Sequence, residues 1–224
     1  MRTLYGTMQS GNVYKVRLLL ALLNLPYEFV PVDLRNRAHR SPDFLQLNPF
    51  GQIPVWVEET LILRDSQAIL VYLAKHDDSA SWLPEDAAGM AKVMQWLSVA
   101  ANEIEHSFTA LRRHFLLNAP VEVTQAQRIA ERLLQVMEHH LQEQPWLECN
   151  RPTIADIACF PYLSRAEDSR IDLSPYPQVT AWLHQIQQLP NYISFSSSPS
   201  TVWLSAHDEA HPPIHPTPHS PKMA

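Results

Sequence analysis

The apolar residues of this chain change their spacing repeatedly up to about residue 78 and keep one period beyond it, and that contrast limits the folds open to the chain. Before residue 78, short strand-like and helix-like runs alternate. Thr3, Leu4 and Tyr5 form a strand candidate that ends at Gly6, and Tyr14 to Leu25 is a Leu-, Val- and Ala-dense helical run stopped by Pro26. Tyr27 to Val32 has strand composition, and Ser41-Pro42 is a helix start, with serine at the N-cap and proline at the first helical position. Val55–Val57 and Leu61–Leu63 flank Glu58-Glu59-Thr60 as a short hairpin, and Ser66 to His76 reads as a helix. The order β-α-β-α-β-β-α predicts a mixed four-stranded sheet of the α/β class.

Beyond residue 78 only helical spacing remains. Apolar residues from Met90 to Phe115 make one stripe sustained over about seven turns. Ile129, Leu133, Met137 and Leu141 make a second stripe, ending before Pro145. Thr153-Ile154-Ala155-Asp156 is a capping box opening a helix that Pro161 should kink. A last helix over 178–189 turns Val179, Trp182, Leu183 and Ile186 inward. The expected organisation is an α/β domain over 1–78, a linker over 79–88, an all-helical (all-α) domain over 89–198 and a Pro/His-rich tail over 199–224. The prolines of that tail (Pro212, Pro213, Pro216, Pro218) break the helix that would align His207, His211, His215 and His219 as metal ligands, so no metal site is expected.

Composition removes several functions. With 17 basic against 23 acidic residues the net charge is −6, and no basic stripe stands out, which argues against nucleic acid or an anionic membrane as partner. The four glycines, Gly6, Gly11, Gly51 and Gly89, are too dispersed for a phosphate-binding loop. No run of ~18 apolar residues is present to span a membrane. Two cysteines, Cys149 and Cys159, and the lack of a secretory signal pattern lead to the expectation of a soluble, cytoplasmic protein in a reducing compartment.

Two short segments carry chemistry. In Asn48-Pro49-Phe50-Gly51-Gln52-Ile53-Pro54-Val55 a proline directly precedes a strand. A cis bond at Ile53-Pro54 would turn the Ile53 backbone N–H and C=O outward to pair with an extended peptide ligand; a trans bond would merely begin the strand. At Asp65-Ser66 a hydroxyl and the N–H groups of a first helical turn suit a carboxylate, and the neighbouring aspartate suits an ammonium. The same pair also serves as an ordinary N-cap.

Taken in order, the first strand, NPFGQIPV, RDSQAILVYLA, TIADIA and YPQVTAWLHQIQQLP resemble the cytosolic glutathione transferase family over about residues 1–195. The resemblance implies a thioredoxin-like domain followed by a helical one, glutathione as co-substrate with no other cofactor, and a homodimer. It implies that Ile53, beside cis-Pro54, holds the cysteinyl backbone of glutathione, and that Asp65 and Ser66 hold the γ-glutamyl end. Gln52 and His39, with Arg40 as a rival, would meet the glycine carboxylate.

The nucleophile of such a reaction is the glutathione thiolate. Lowering a thiol pKa by two units takes ~2.7 kcal/mol, within reach of one or two hydrogen bonds to charged sulfur. Donors are therefore needed where the first strand ends and the first helix begins, and Ser10 is the first candidate, Asn12 the second. Ser10-Gly11-Asn12 before Tyr14-Lys15 resembles bacterial branches (theta- and nu-like) that use serine or a Thr/Asn pair, although Lys15 stands one residue further from the serine than in the theta-like motif. Tyr5 and Tyr14 are rival donors, and a protein cysteine is excluded as nucleophile because the first is Cys149.

A small apolar electrophile should bind between the domains, against the 7–12 loop, the helix from Met90 and Phe195 or Trp203, with Ser107, Phe108 and Arg112 as near neighbours. The expected activity is glutathione transfer in detoxification. The alternatives are glutathione-dependent disulfide or peroxide reduction, and a non-catalytic, partner-binding member of the stringent-starvation type.

Overall fold

The computed structural model describes residues 1–76 and 82–195. The start of the expected linker (79–81), Trp203 and the whole Pro/His-rich tail (199–224) lie outside the described residues.

Four strands make one sheet: β1 (Arg2–Gly6), β2 (Glu28–Pro31), β3 (Val55–Glu58) and β4 (Leu61–Arg64), in the order β2-β1-β3-β4. β1 runs parallel to β2 and antiparallel to β3, and β3 and β4 form the expected hairpin. α1 (Gly11–Leu22) is the crossover between β1 and β2, α2 (Pro42–Leu47) leads to β3, and α3 (Ser66–His76) follows β4. Local chemistry explains the helix starts. Ser10 Oγ accepts from the Val13 N–H at 3.3 Å, and Ser41 Oγ accepts from the Phe44 N–H at 3.2 Å with Pro42 at the first helical position.

The register decides where function can lie. Gly6 pairs with Pro31, Tyr5 with Val55, and Val55 with Arg64. The carboxyl ends of β1, β2 and β4 and the amino end of β3 therefore share one edge of the sheet. The loops leaving that edge are 7–10, 32–41, the segment up to Pro54, and Asp65-Ser66.

The second half is helical throughout: α4 (Ala87–Ala101), α5 (Ala110–Leu117), α6 (Val123–Glu143), α7 (Ile154–Leu163) and α8 (Pro177–Gln187). The stripe from Met90 to Phe115 is not one straight helix, as its spacing suggests. α4 ends at Ala101 with Asn102 as its C-cap, and a π-helical turn over Glu105–Thr109 precedes α5. The local reason is Ser107, buried with its hydroxyl donating to the Glu103 carbonyl at 2.5 Å, a side-chain bond that competes with the backbone ladder.

α7 is apolar on every side and all ten of its residues are buried, which makes it the central helix. It packs against α4 and α8 and also against α1 and α3, so one continuous apolar core runs through both halves. Its start is the predicted capping box: the Asp156 carboxylate accepts from the Thr153 N–H at 2.8 Å, and the Thr153 hydroxyl accepts from the Ala155 N–H at 3.2 Å. Pro161 sits in the last turn, two residues before the helix ends, and offers no N–H to the Ile157 carbonyl. No helix among the described residues is long and apolar enough to cross a membrane.

Candidate active site

Ser10 closes the loop that leaves β1. Its N–H donates to the Thr7 carbonyl at 3.1 Å, and its Oγ caps α1 by accepting from Val13. Accepting uses a lone pair and leaves the hydroxyl proton free to donate. Asn12 lies half-buried in the first turn of α1, where the unpaired N–H groups give positive potential. Gly11 between them has no room for a side chain, because an added Cβ would come within 2.5 Å of the Tyr162 ring on α7.

The tyrosine rivals pack against their neighbours. Tyr14 is fully buried, its hydroxyl donates to the Ile193 carbonyl at 2.6 Å, and its ring stacks on Phe195 at 4.6 Å between centroids. Burial, then contact with Tyr192, pushes its phenol well above the ordinary range. Tyr5 packs against the small cluster of Val32, Phe44 and Val55, and burial followed by the Glu28 charge raises its phenol too.

The Ile53-Pro54 bond is cis, and the Ile53 backbone takes no part in the turn and loop hydrogen bonds among the described residues. The turn before it is built by the buried Asn48, whose amide donates to the Gln52 carbonyl at 2.7 Å and whose oxygen accepts from the Phe50 N–H at 3.1 Å. Sequence reading missed Asn48, although Asn-Pro is itself a turn signal. Gly51 adopts φ +58°, and a Cβ there would approach the His39 carbonyl to 2.8 Å, so the 39–40 turn lies against 50–52. Arg40 donates to the Phe50 carbonyl at 3.2 Å. His39 Nδ1 is buried without a partner, and burial, then Arg40 and Arg37, hold its imidazole below the usual value. Gln52 is exposed.

Asp65 takes φ +74° and caps α3, its Oδ1 accepting from the Gln67 and Ala68 N–H groups at 2.9 and 3.1 Å. Two of the N–H groups expected to greet a carboxylate are thus satisfied internally. Ser66 is buried at the first helical position, and its hydroxyl donates to the Gln67 side chain at 2.5 Å.

Of the residues expected near the electrophile, Ser107 and Phe108 are buried core. Arg112 and Phe195 meet beside the 7–10 loop, the guanidinium 5.5 Å from the ring centroid.

Lys15, one helical turn beyond Asn12, is fully buried with its ammonium 5.9 Å from the Tyr162 ring centroid. Burial pulls its pKa from 10.5 to about 8, against the opposing pull of Cys159, Glu105 and Asp65. Below that value the folded and unfolded chains both carry the proton, and the folded chain bears the full cost of burying it. Between about 8 and 10.5 the unfolded chain binds more protons, so this residue makes stability rise with pH, by ~3 kcal/mol over the window. Lys15→Met is expected to be more stable than the parent at pH 7, with the gap closing toward pH 10. Denaturant midpoints at both pH values check this, and a gap independent of pH would refute it.

Among the described residues, no group of three or more His, Cys, Asp or Glu side chains is placed to hold a metal ion.

Comparison with known proteins extends this picture. Residues 2–75 match the family model for the glutathione S-transferase N-terminal domain, and residues 89–190 match that for the C-terminal domain. The sequence is 36% identical over 201 residues to glutathione S-transferase 3 of Zea mays, covering 84% of this chain and 90% of the maize protein. It is 32% identical over 192 residues to the disulfide-bond oxidoreductase YfcG of Escherichia coli (strain K12), covering 81% and 88%. The crystal structure of a glutathione S-transferase from Pseudomonas fluorescens superposes with a TM-score of 0.82 at 33% identity, covering 87% of this chain and 98% of that one.

Proposed function

Because the chain belongs to the glutathione S-transferase family, we propose that its Ser10 hydroxyl, assisted by Asn12, holds the glutathione thiol as a thiolate. The activity is glutathione transfer, with glutathione as co-substrate. The observation that carries the assignment is the Ser10 hydroxyl itself, whose oxygen caps α1 while its proton stays available at the positive end of that helix. No strong base is needed. The thiol proton leaves to solvent, the sulfur bonds to an electrophilic carbon, and the leaving group departs with its electron pair.

The remaining assignments follow the sheet edge. The Ile53 backbone beside cis-Pro54 pairs with the cysteinyl unit, Ser66 takes the γ-glutamyl carboxylate and Asp65 its amine. Gln52 and His39 take the glycine carboxylate. The exposed Gln52 side chain supports this, and Arg40 is already engaged with Phe50. The electrophile is a small apolar molecule, the role detoxification, and the domain limits are 1–78 and 89–198. The two cysteines are free, which fits a reducing cytoplasm.

The direct test is to titrate the ultraviolet thiolate absorbance of glutathione with and without the protein. A bound thiol pKa at least one unit below that of free glutathione is expected; binding without a shift would sink the assignment. Disulfide reduction is the second reading, favoured by the relative named as a disulfide-bond oxidoreductase. Cys159 is buried, with its thiol pushed up first by burial, so glutathione would supply the sulfur. Turnover of hydroxyethyl disulfide exceeding that of aryl halides would select this reading.

The assembly proposed is a homodimer. Phe50 is 61% exposed beneath the Arg64 guanidinium, 4.6 Å from its ring centroid, and Ile62 and Met94 are each 45% exposed. Light scattering should give about twice the chain mass of 25.6 kDa, and Phe50→Ala should lower it at micromolar concentration. A monomeric parent chain would overturn the proposal.

A further inference from the structure

Arg112 of α5 is fixed on three sides. Its Nε donates to Asp168 Oδ2 at 2.9 Å, one terminal nitrogen donates to the Gln9 carbonyl at 3.2 Å, and the Phe195 ring lies against the guanidinium. Only 11% of the side chain is exposed. Asp168 is itself held in place. Arg165 donates to both of its carboxylate oxygens, at 3.3 and 3.1 Å, and the neighbouring Ser169 hydroxyl donates to the Phe108 carbonyl at 2.8 Å. The arginine is therefore anchored in the helical half and reaches across to the loop of the α/β half.

What it grips is the peptide unit immediately before the thiolate donor. The C=O of that unit belongs to Gln9 and its N–H to Ser10. The N–H is held by Thr7 and the C=O by Arg112, so both ends of one rigid plane are tied, one from each half of the molecule. We propose that Arg112 is a positioning residue for thiolate formation: it sets the Gln9–Ser10 peptide plane and thereby aims the Ser10 hydroxyl. Its hydrogen bond to the carbonyl is charge-assisted and nearly removed from water, which makes it strong enough to set one loop geometry among several. The proposal rests on Ser10 being the donor.

The experiment is the pH dependence of kcat/KM for the probe electrophile 1-chloro-2,4-dinitrobenzene at saturating glutathione, where the apparent pKa is that of the bound thiol. The parent chain is compared with Ser10→Ala, Arg112→Met and Arg112→Lys. Arg112→Met should raise the apparent thiol pKa by about one unit and lower kcat/KM near neutral pH about tenfold. KM for glutathione should change less than twofold, because the peptide's other anchors lie at Ile53 and Ser66. Arg112→Lys should fall between, since an ammonium cannot serve Asp168 and Gln9 with the same fork. A purely structural arginine would lower the amount of active enzyme without moving the pKa.

An unmoved pH profile, or a rise confined to the KM of the electrophile, overturns the inference. Should Arg112→Met fail to fold, Arg112→Lys decides: a parental profile in that variant refutes the proposal. Ser10→Ala separates this inference from the one beneath it. If Ser10→Ala abolishes the lowered thiol pKa and Arg112→Met leaves it intact, only the role of Arg112 is lost. If the parent shows no lowered pKa, or Ser10→Ala leaves it intact, the donor assignment fails and takes this inference with it.

Discussion

Ser10→Ala is expected to lower kcat/KM near neutral pH by ~10- to 100-fold and to raise the apparent pKa of bound glutathione by about one to two units. The size follows from the interaction removed. A hydrogen bond to a charged group contributes ~1.5–3 kcal/mol, and 1.36 kcal/mol is one pKa unit or a factor of ten in rate. The same hydroxyl oxygen caps α1, so alanine also costs ~1 kcal/mol of stability. Ser10→Gly separates the two roles, because glycine at an N-cap costs only a few tenths while lacking the hydroxyl. Both variants should lose turnover equally, and only the alanine variant should melt measurably lower. Asn12→Ala should have the smaller effect of the two sites. A thiol pKa moved by Asn12→Ala and not by Ser10→Ala would reverse the assignment.

The largest effect on stability is expected far from the thiolate, at Asp156. This carboxylate is fully buried and accepts four hydrogen bonds: from the Leu147 N–H at 3.0 Å, the Thr153 N–H at 2.8 Å, the Thr153 hydroxyl at 3.2 Å and the Trp182 indole at 2.9 Å. Burial pushes its pKa up, and these bonds pull in the opposite direction. Asp156→Ala leaves buried donors unsatisfied, each costing ~1–3 kcal/mol, and the total approaches a large part of the ~5–15 kcal/mol that holds a domain folded. The melting temperature should drop by ~10 °C or more, with poor recovery of folded protein. Asp156→Asn should be milder, since one acceptor oxygen survives. A drop in Tm under 3 °C for the alanine variant would mean that water or a neighbour replaces the carboxylate.

The features that sequence made legible are those set by neighbours within a few residues. Ser41-Pro42, the Thr153–Asp156 box and the hairpin around Glu58-Glu59-Thr60 each state their local geometry in adjacent residue types, whereas the residues around Ile53-Pro54 left cis and trans both open. The apolar spacing located α6 and α8 for the same reason. The remainder needed partners distant in the chain. Arg112 reads as a neighbour of the electrophile site, and its bond to the Gln9 carbonyl, 103 residues earlier, is not legible from its own surroundings. The burial of Lys15 depends on α7, whose Tyr162 ring lies 5.9 Å from its ammonium. The π-helical turn escaped because its apolar stripe continues across the break, and a stripe reports burial without reporting which carbonyl each N–H has chosen. At Asp65-Ser66 the N-cap reading holds for the aspartate, whose Oδ1 accepts from two N–H groups of α3, while the serine is left at the first helical position.

Gly11 sets the separation of the two halves at the point where it matters for chemistry. Because it has no Cβ, the Tyr162 ring rests directly on the backbone of α1, with no compliant side chain between them. Such a joint has almost no slack. A displacement of α7 by a few tenths of an ångström is passed to the start of α1 and to Ser10 in the adjacent position, without being absorbed by a rotamer change. The hydroxyl proposed as the thiolate donor is thus held next to a rigid contact with the helical core.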